Sequence, residues 1–273
     1  MSEKTPSPED QMMQWITSKW ITKPIHVATE LGIADLLRDG PLSIDTLAAK
    51  TDTHAPTLYR LLRALSSVGV FVETGDRVFE LTPLAQCLKS DAMRPIARMF
   101  LSEWHDQAWK GLSHSVRTGE PGFDYAFGKP AFEWMEANPK KRAIMDQGQA
   151  IKAIGFAQAV MEAYDFSDFY TFCDIGGGQG AFLLQLMANY PQIRGFVADM
   201  PGAVASAEIA ISKADLHGRC QAISYDFFKE QPPACDAYFL VNVLHDWEDE
   251  ICCRILQNVS RSMNADARLF VVE

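Results

Sequence analysis

Asp174-Ile-Gly-Gly-Gly-Gln-Gly-Ala181 is the stretch whose reading decides the fold. Four of the five residues from 176 to 180 are glycine. Such a run is costly to order unless the backbone turns sharply or lets something approach closely. Tyr170–Cys173 before it is short and apolar and reads as a strand. Ala181–Tyr190 after it reads as a helix, stopped before Pro191. A strand, a glycine loop and a helix N-terminus together present unpaired N–H groups and a positive dipole end. The alternation continues outward: strands at Phe196–Ala198, Cys220–Ser224, Ala237–Val241 and Arg268–Val272, with helices from Pro201 to about Lys213 and over Asp249–Ser262. Near-continuous apolar strands alternating with helices imply an α/β parallel sheet covered on both faces. Such sheets bind small molecules beyond the carboxyl ends of their strands.

Two cofactors fit the loop. Gly176, Gly178 and Ala181 satisfy the dinucleotide pattern GxGxx[G/A], which alone is a weak signal. The longer Asp-x-Gly-x-Gly-x-Gly, with Asp174 at the strand end, points to S-adenosylmethionine. Asp199, ending the second strand, can accept ribose hydroxyls of either cofactor. Tyr225-Asp226-Phe227-Phe228, after the third strand, discriminates: Asp226 can accept an exocyclic amine and Phe227 can stack on adenine.

The fourth strand runs into Val241-Asn-Val-Leu-His245-Asp-Trp-Glu-Asp-Glu250. His245 thus sits just past a strand's carboxyl end. Methyl transfer to a hydroxyl needs a base, because a phenol ionises only near pH 10. Histidine is the side chain poised near neutrality, and such a base contributes roughly a hundred- to ten-thousand-fold. Glu273 ends the fifth strand. Neighbouring strands lie about 5 Å apart, so its carboxylate can hold the imidazole in one tautomer.

The N-terminal half is helical. Residues 1–10 read as a disordered lead-in. Gln11 to about Arg38 reads as a helix with a break near Pro24. Ser43–Lys50 and Ala55–Val68 follow as helices, the second with Leu58, Leu61, Leu62 and Leu65 at helical spacing. Strands at Val70–Val72 and Val78–Leu81 complete a winged helix-turn-helix. DNA binding is one reading of that motif. Against it, Ser43–Gly69 carries only Lys50, Arg60 and Arg63 as basic residues, and leucines dominate the second helix, as on a packing or dimer surface. A net charge of −10 also favours small-molecule chemistry over phosphate neutralisation. Asn138-Pro139 reads as the start of a long helix reaching Tyr164.

No apolar run approaches the roughly 20 residues of a membrane span, and the polar N-terminus has no signal-peptide core. The six cysteines show no metal-ligand spacing and read as reduced thiols in a cytoplasmic protein.

These motifs resemble the caffeate-type and bacterial small-molecule O-methyltransferases that use S-adenosylmethionine. The resemblance rests on Asp174–Gly180, Val197–Val204, Asp226–Phe228 and Leu244–Glu250, and further forward on Leu58–Leu65, Leu81–Pro83 and Ser115–Gly119. It implies a Rossmann-like class I methyltransferase sheet over 166–273, a helical connector over 98–165, and a winged-helix dimerisation domain over 1–97. It implies a homodimer and no nucleic acid; the sequence itself shows no metal site. Gly176, Gly178, Asp199, Asp226 and Phe227 become cofactor contacts, joined by Asp174 and by Met200 within the second motif. His245 becomes the general base and Glu273 an acid that orients it. Met145 and Gln149, one helical turn apart, and Trp104 and His105 become candidate acceptor contacts. Three departures stand out. Val241 occupies a position that is lysine in many relatives, and Tyr225 one that is often glycine. The family pattern continues past strand five with two more strands and a second acid, whereas this sheet is truncated after strand five. A non-methylating hydroxylase or decarboxylase of the same fold, or a dimeric scaffold, is the alternative.

Overall fold

The computed structural model describes residues 6–273, in two compact units divided between Gly148 and Gln149.

In the first unit a helix begins at Pro8, with the Ser7 hydroxyl accepting the Asp10 N–H at 3.1 Å. Of the expected disordered lead-in, residues 1–5 lie outside the described residues, while Pro8–Asp10 are helical. The long helix expected to break at Pro24 breaks elsewhere. Its segments are Pro8–Ile16, Lys19–Glu30 and Ile33–Leu36, and Pro24 lies inside the second. Gly32, at φ +66°, supplies the left-handed residue that ends it. Pro24 lacks only the one N–H that would have bonded to residue 20. Ser43 caps the helix Ile44–Thr51, and Ala55–Ser66 follows. Leu58, Leu62 and Leu65 are buried against Ile33, Ile44, Leu47, Phe71 and Phe79, with Leu61 partly buried. Strand β1 (Leu42–Ser43) joins β2 (Phe71–Gly75) and β3 (Val78–Leu81) in an antiparallel sheet ordered β1-β3-β2. The first strand is too short to carry a hydrophobic period, so the sequence does not announce it.

The second unit holds the parallel sheet: β4 (Thr171–Ile175), β5 (Arg194–Asp199), β6 (Cys220–Ser224), β7 (Ala237–Val241) and β8 (Arg268–Val272). Their order is β6-β5-β4-β7-β8. The chain runs outward from β4 to β6, then crosses back to place β7 on the other side of β4. The switch point therefore lies between β4 and β7, where an open α/β sheet leaves its crevice. One face packs Phe172, Val197 and Phe239 against Phe182, Leu183 and Leu186 of the helix Ala181–Asn189. The other packs Ile175, Tyr238 and Leu240 against Ile255 and Val259 of the helix Asp249–Ser260. Burial pushes the Cys220 and Cys235 thiols up to about 12, so both remain small hydrophobes. Among the described residues no helix is long and apolar enough to cross a membrane.

Candidate active site

The glycine loop leaves β4 at the switch point. Gly176, Gly178 and Gly180 all have positive φ, at +69°, +58° and +77°. Their surroundings differ. A Cβ on Gly180 would stand 2.7 Å from Val197 Cγ2, and one on Gly176 would stand 2.9 Å from Val243 Cγ2. A Cβ on Gly178 would meet nothing within 4 Å. Two glycines therefore let the loop fold onto the sheet, and the third leaves backbone open to an incoming molecule.

Asp174 lies beneath this loop. It is fully buried, and neither carboxylate oxygen has a hydrogen-bond partner. Burial pushes its carboxyl up to about 7, and the neighbouring Asp199 charge acts in the same direction; the Leu183 N–H, outside hydrogen-bond geometry, opposes both only weakly. A Cβ on Gly177 would come within 2.7 Å of that carboxylate. Buried polar groups are normally satisfied, so an unpartnered buried carboxyl with a raised pKa marks a functional-site candidate.

Asp199, at the end of β5, ties strand to loop. Its Oδ2 accepts the Gly178 N–H at 2.8 Å, and its Oδ1 accepts the Met200 N–H at 2.6 Å. Beyond β6, Phe227 packs against Phe228 and Trp247, and its ring edge lies 3.7 Å from where a Gly176 Cβ would be. Phe227 therefore borders the glycine loop. Asp226 is engaged locally: its carboxylate accepts the Phe228 N–H at 3.0 Å and pairs with Lys229 at 2.8 Å. The Lys229 ammonium holds its carboxyl below the usual range.

Across the switch point, β7 leads into a single 3-10 turn, Leu244–Asp246. His245 is half exposed on it, and its Nδ1 pairs with the Glu273 carboxylate just beyond β8. The other Glu273 oxygen accepts the Leu244 N–H at 3.0 Å. The two Glu273 oxygens thus tie the imidazole to the backbone of its own turn. Asp246 Oδ1 lies 3.5 Å from Nε2. Burial raises the Asp246 carboxyl; His245 lowers it and Glu273 raises it further. Asp246, Asn242 and Val243 were not picked out from the sequence. The signal for Asn242 was its residue type, since asparagine after a strand tolerates the left-handed conformation it takes here.

The candidate acceptor residues divide between the units. Trp104 is buried with Met99 and Met135, in a cluster bordered by Phe123, Phe127, Trp134 and Met145. Its indole nitrogen has no partner. His105 makes ring contacts with Phe100, Trp104 and Trp109, and burial lowers its pKa. Gln149, half-buried, opens the second unit on the same helix as Met145. Among the described residues no group of three or more His, Cys, Asp or Glu side chains could hold a metal ion.

A glycine cradle at the switch point, an orphaned acid beneath it and a carboxylate-held histidine across from it define an enzyme that takes a small-molecule cofactor. The family profile of the O-methyltransferase domain matches residues 109–273, and that of the O-methyltransferase dimerisation domain matches 13–91. The chain belongs to this O-methyltransferase family, and it is an S-adenosylmethionine-dependent methyltransferase of the small-molecule type. It is 41% identical to the phenazine O-methyltransferase PhzM of Lysobacter antibioticus, over 96% of this chain and 77% of that protein. It is 32% identical to the 8-amino-8-demethylriboflavin N,N-dimethyltransferase of Streptomyces davaonensis, over 99% of this chain and 81% of that protein. It also superposes on human N-acetylserotonin methyltransferase solved with S-adenosylmethionine, with a TM-score of 0.88 and 25% identity, over 99% of this chain and 81% of the other.

Proposed function

We propose that the protein transfers a methyl group from S-adenosylmethionine to a hydroxyl on a small, planar aromatic or polyketide-like acceptor, with His245 as general base. The observation that carries this reading is the pairing of His245 Nδ1 with the Glu273 carboxylate, beyond the strand next to the one that enters the glycine loop. The residues present suit the cofactor. Asp174 lies buried beneath the loop, Gly178 leaves its backbone open to close approach, and Asp199 and Met200 border the loop. Phe227 offers a ring face, and Asp226 holds the turn that presents it. When bound, the cofactor supplies a methyl carbon made electrophilic by its sulfonium.

His245 Nε2 removes the acceptor's proton as the oxygen attacks. Glu273 keeps the imidazole oriented and stabilises the charge it gains. Gln149, in the unit that carries His245, is a candidate acceptor contact. A phenazine-sized acceptor fits the Lysobacter relative's name, and a second copy of the chain fits the dimerisation domain. The test is His245→Gln. Loss of the base lowers kcat by roughly a hundred- to ten-thousand-fold on a phenolic acceptor, with cofactor affinity unchanged. Undiminished kcat overturns the role. N-methylation is the second reading, favoured by the riboflavin-type relative. A neutral amine already holds its lone pair, so His245→Gln would then cost little.

A further inference from the structure

The turn that carries His245 has few bonds of its own: Asp246 N–H to Val243 O at 3.3 Å and Trp247 N–H to Leu244 O at 3.0 Å. Its placement comes from outside. Asn242, which leads into it, has φ +52°, a conformation that asparagine tolerates and β-branched residues avoid. The Asn242 N–H donates to Val272 O at 2.8 Å, pinning the turn's entry to β8. On the far side, Cys252 of the helix Asp249–Ser260 places its Sγ 3.3 Å from Leu244 O and 3.4 Å from Trp247 O. These two carbonyls flank His245 in sequence. The single thiol proton can serve either carbonyl.

We infer that Asn242 and Cys252 are positioning residues for His245, fixing the backbone on both sides of the imidazole while Glu273 fixes the ring. The inference rests on the reading of His245 as the base. Its physical content is precision. A base must stay within hydrogen-bond reach of the acceptor proton, and a displacement of about 1 Å costs about a hundred-fold in rate. A weak S–H donor suffices because Leu244 is also anchored through its N–H to Glu273.

The test uses the full chain and reads His245 directly. The proton between His245 Nδ1 and Glu273 gives a low-field NMR signal, assigned by its loss in His245→Gln. In Cys252→Ala that signal broadens, and kcat on 1-hydroxyphenazine falls by about ten- to a hundred-fold, while S-adenosylmethionine affinity is kept. Cys252→Ser, whose hydroxyl donates to the same carbonyls, restores both readouts. Asn242→Gly, which accepts the positive φ, keeps them, and Asn242→Val loses them. Identical spectra for wild type and Cys252→Ala overturn the inference. So does a Cys252→Ser variant as impaired as Cys252→Ala, because the thiol would then act by packing alone. Parallel loss of cofactor affinity also overturns it, because the turn would then support the whole site. If His245→Gln turns over the hydroxyphenazine like wild type, the base reading fails, whatever the spectra of the other variants show.

Discussion

Replacing Asp174 with asparagine should stabilise the cofactor-free protein and weaken its grip on the cofactor. The carboxyl is fully buried without partners, and burial pushes it up to about 7. In the unfolded chain it ionises near 4. Between those values the folded state holds a proton that the unfolded state has released. The stability this confers is fully present below about pH 4 and is lost as pH rises through about 7. At 1.36 kcal/mol per pH unit, the ionised folded form at pH 8 is disfavoured by about 4 kcal/mol. The asparagine amide would be a neutral isostere at every pH. Asp174→Asn should therefore match wild type near pH 4 and exceed it by up to about 4 kcal/mol at pH 8, a rise in Tm of about 10 °C for a chain of this size. Thermal melts from pH 4.5 to 8.5, read as the variant minus wild type, cancel every other titrating group. Calorimetric titration with S-adenosylmethionine should show wild-type affinity rising through pH 7 and a weaker, flat response in the variant. A variant that melts at or below wild type at pH 8, or a difference that does not grow with pH, refutes the reasoning.

Other substitutions separate stability from binding. Gly180→Ala should cost about 1–3 kcal/mol in urea unfolding, because φ is +77° and the new Cβ meets Val197 at 2.7 Å. Gly178→Ala, also at positive φ but with nothing within 4 Å, should cost about 1 kcal/mol in stability while lowering cofactor affinity sharply in calorimetry. In the first unit, burial works to raise the Asp35 carboxyl. It is overridden by the Ser90 N–H, then by Arg38, the Ser90 hydroxyl and Arg94, and the net value falls to about 2. The stability this gives is present above about pH 4 and lost as pH falls through about 2. Asp35→Asn should remove about 2 kcal/mol at pH 7 and little at pH 2, measured by denaturant melts at both.

The parallel sheet was legible because each of its strands is a short apolar run between turn residues. Three strands, Cys220–Ser224, Ala237–Val241 and Arg268–Val272, fall on the residues their composition marks. The glycine loop was legible because three positive-φ positions, two of them with no room for a Cβ, call for a run of glycines. The N-terminal helix breaks were not, since Pro24 is the louder signal and Gly32 the one that acts. Strand β1 was hidden because two residues carry no period. Asp226 illustrates a different limit. Sequence pairs it with an exocyclic amine but does not announce that Lys229 and the Phe228 N–H also engage it within its own turn. The bonds from Cys252 to the His245 turn arise only when the helix Asp249–Ser260 folds back, so no spacing rule could have announced them.

The most direct measurement is transfer of a carbon-13 methyl group from labelled S-adenosylmethionine to hydroxyphenazine and aminophenazine acceptors, with the products read by NMR. A methoxyl carbon signal, lost with His245→Gln, is the predicted result. An N-methyl signal that persists in His245→Gln would contradict O-methylation and the role of the histidine together.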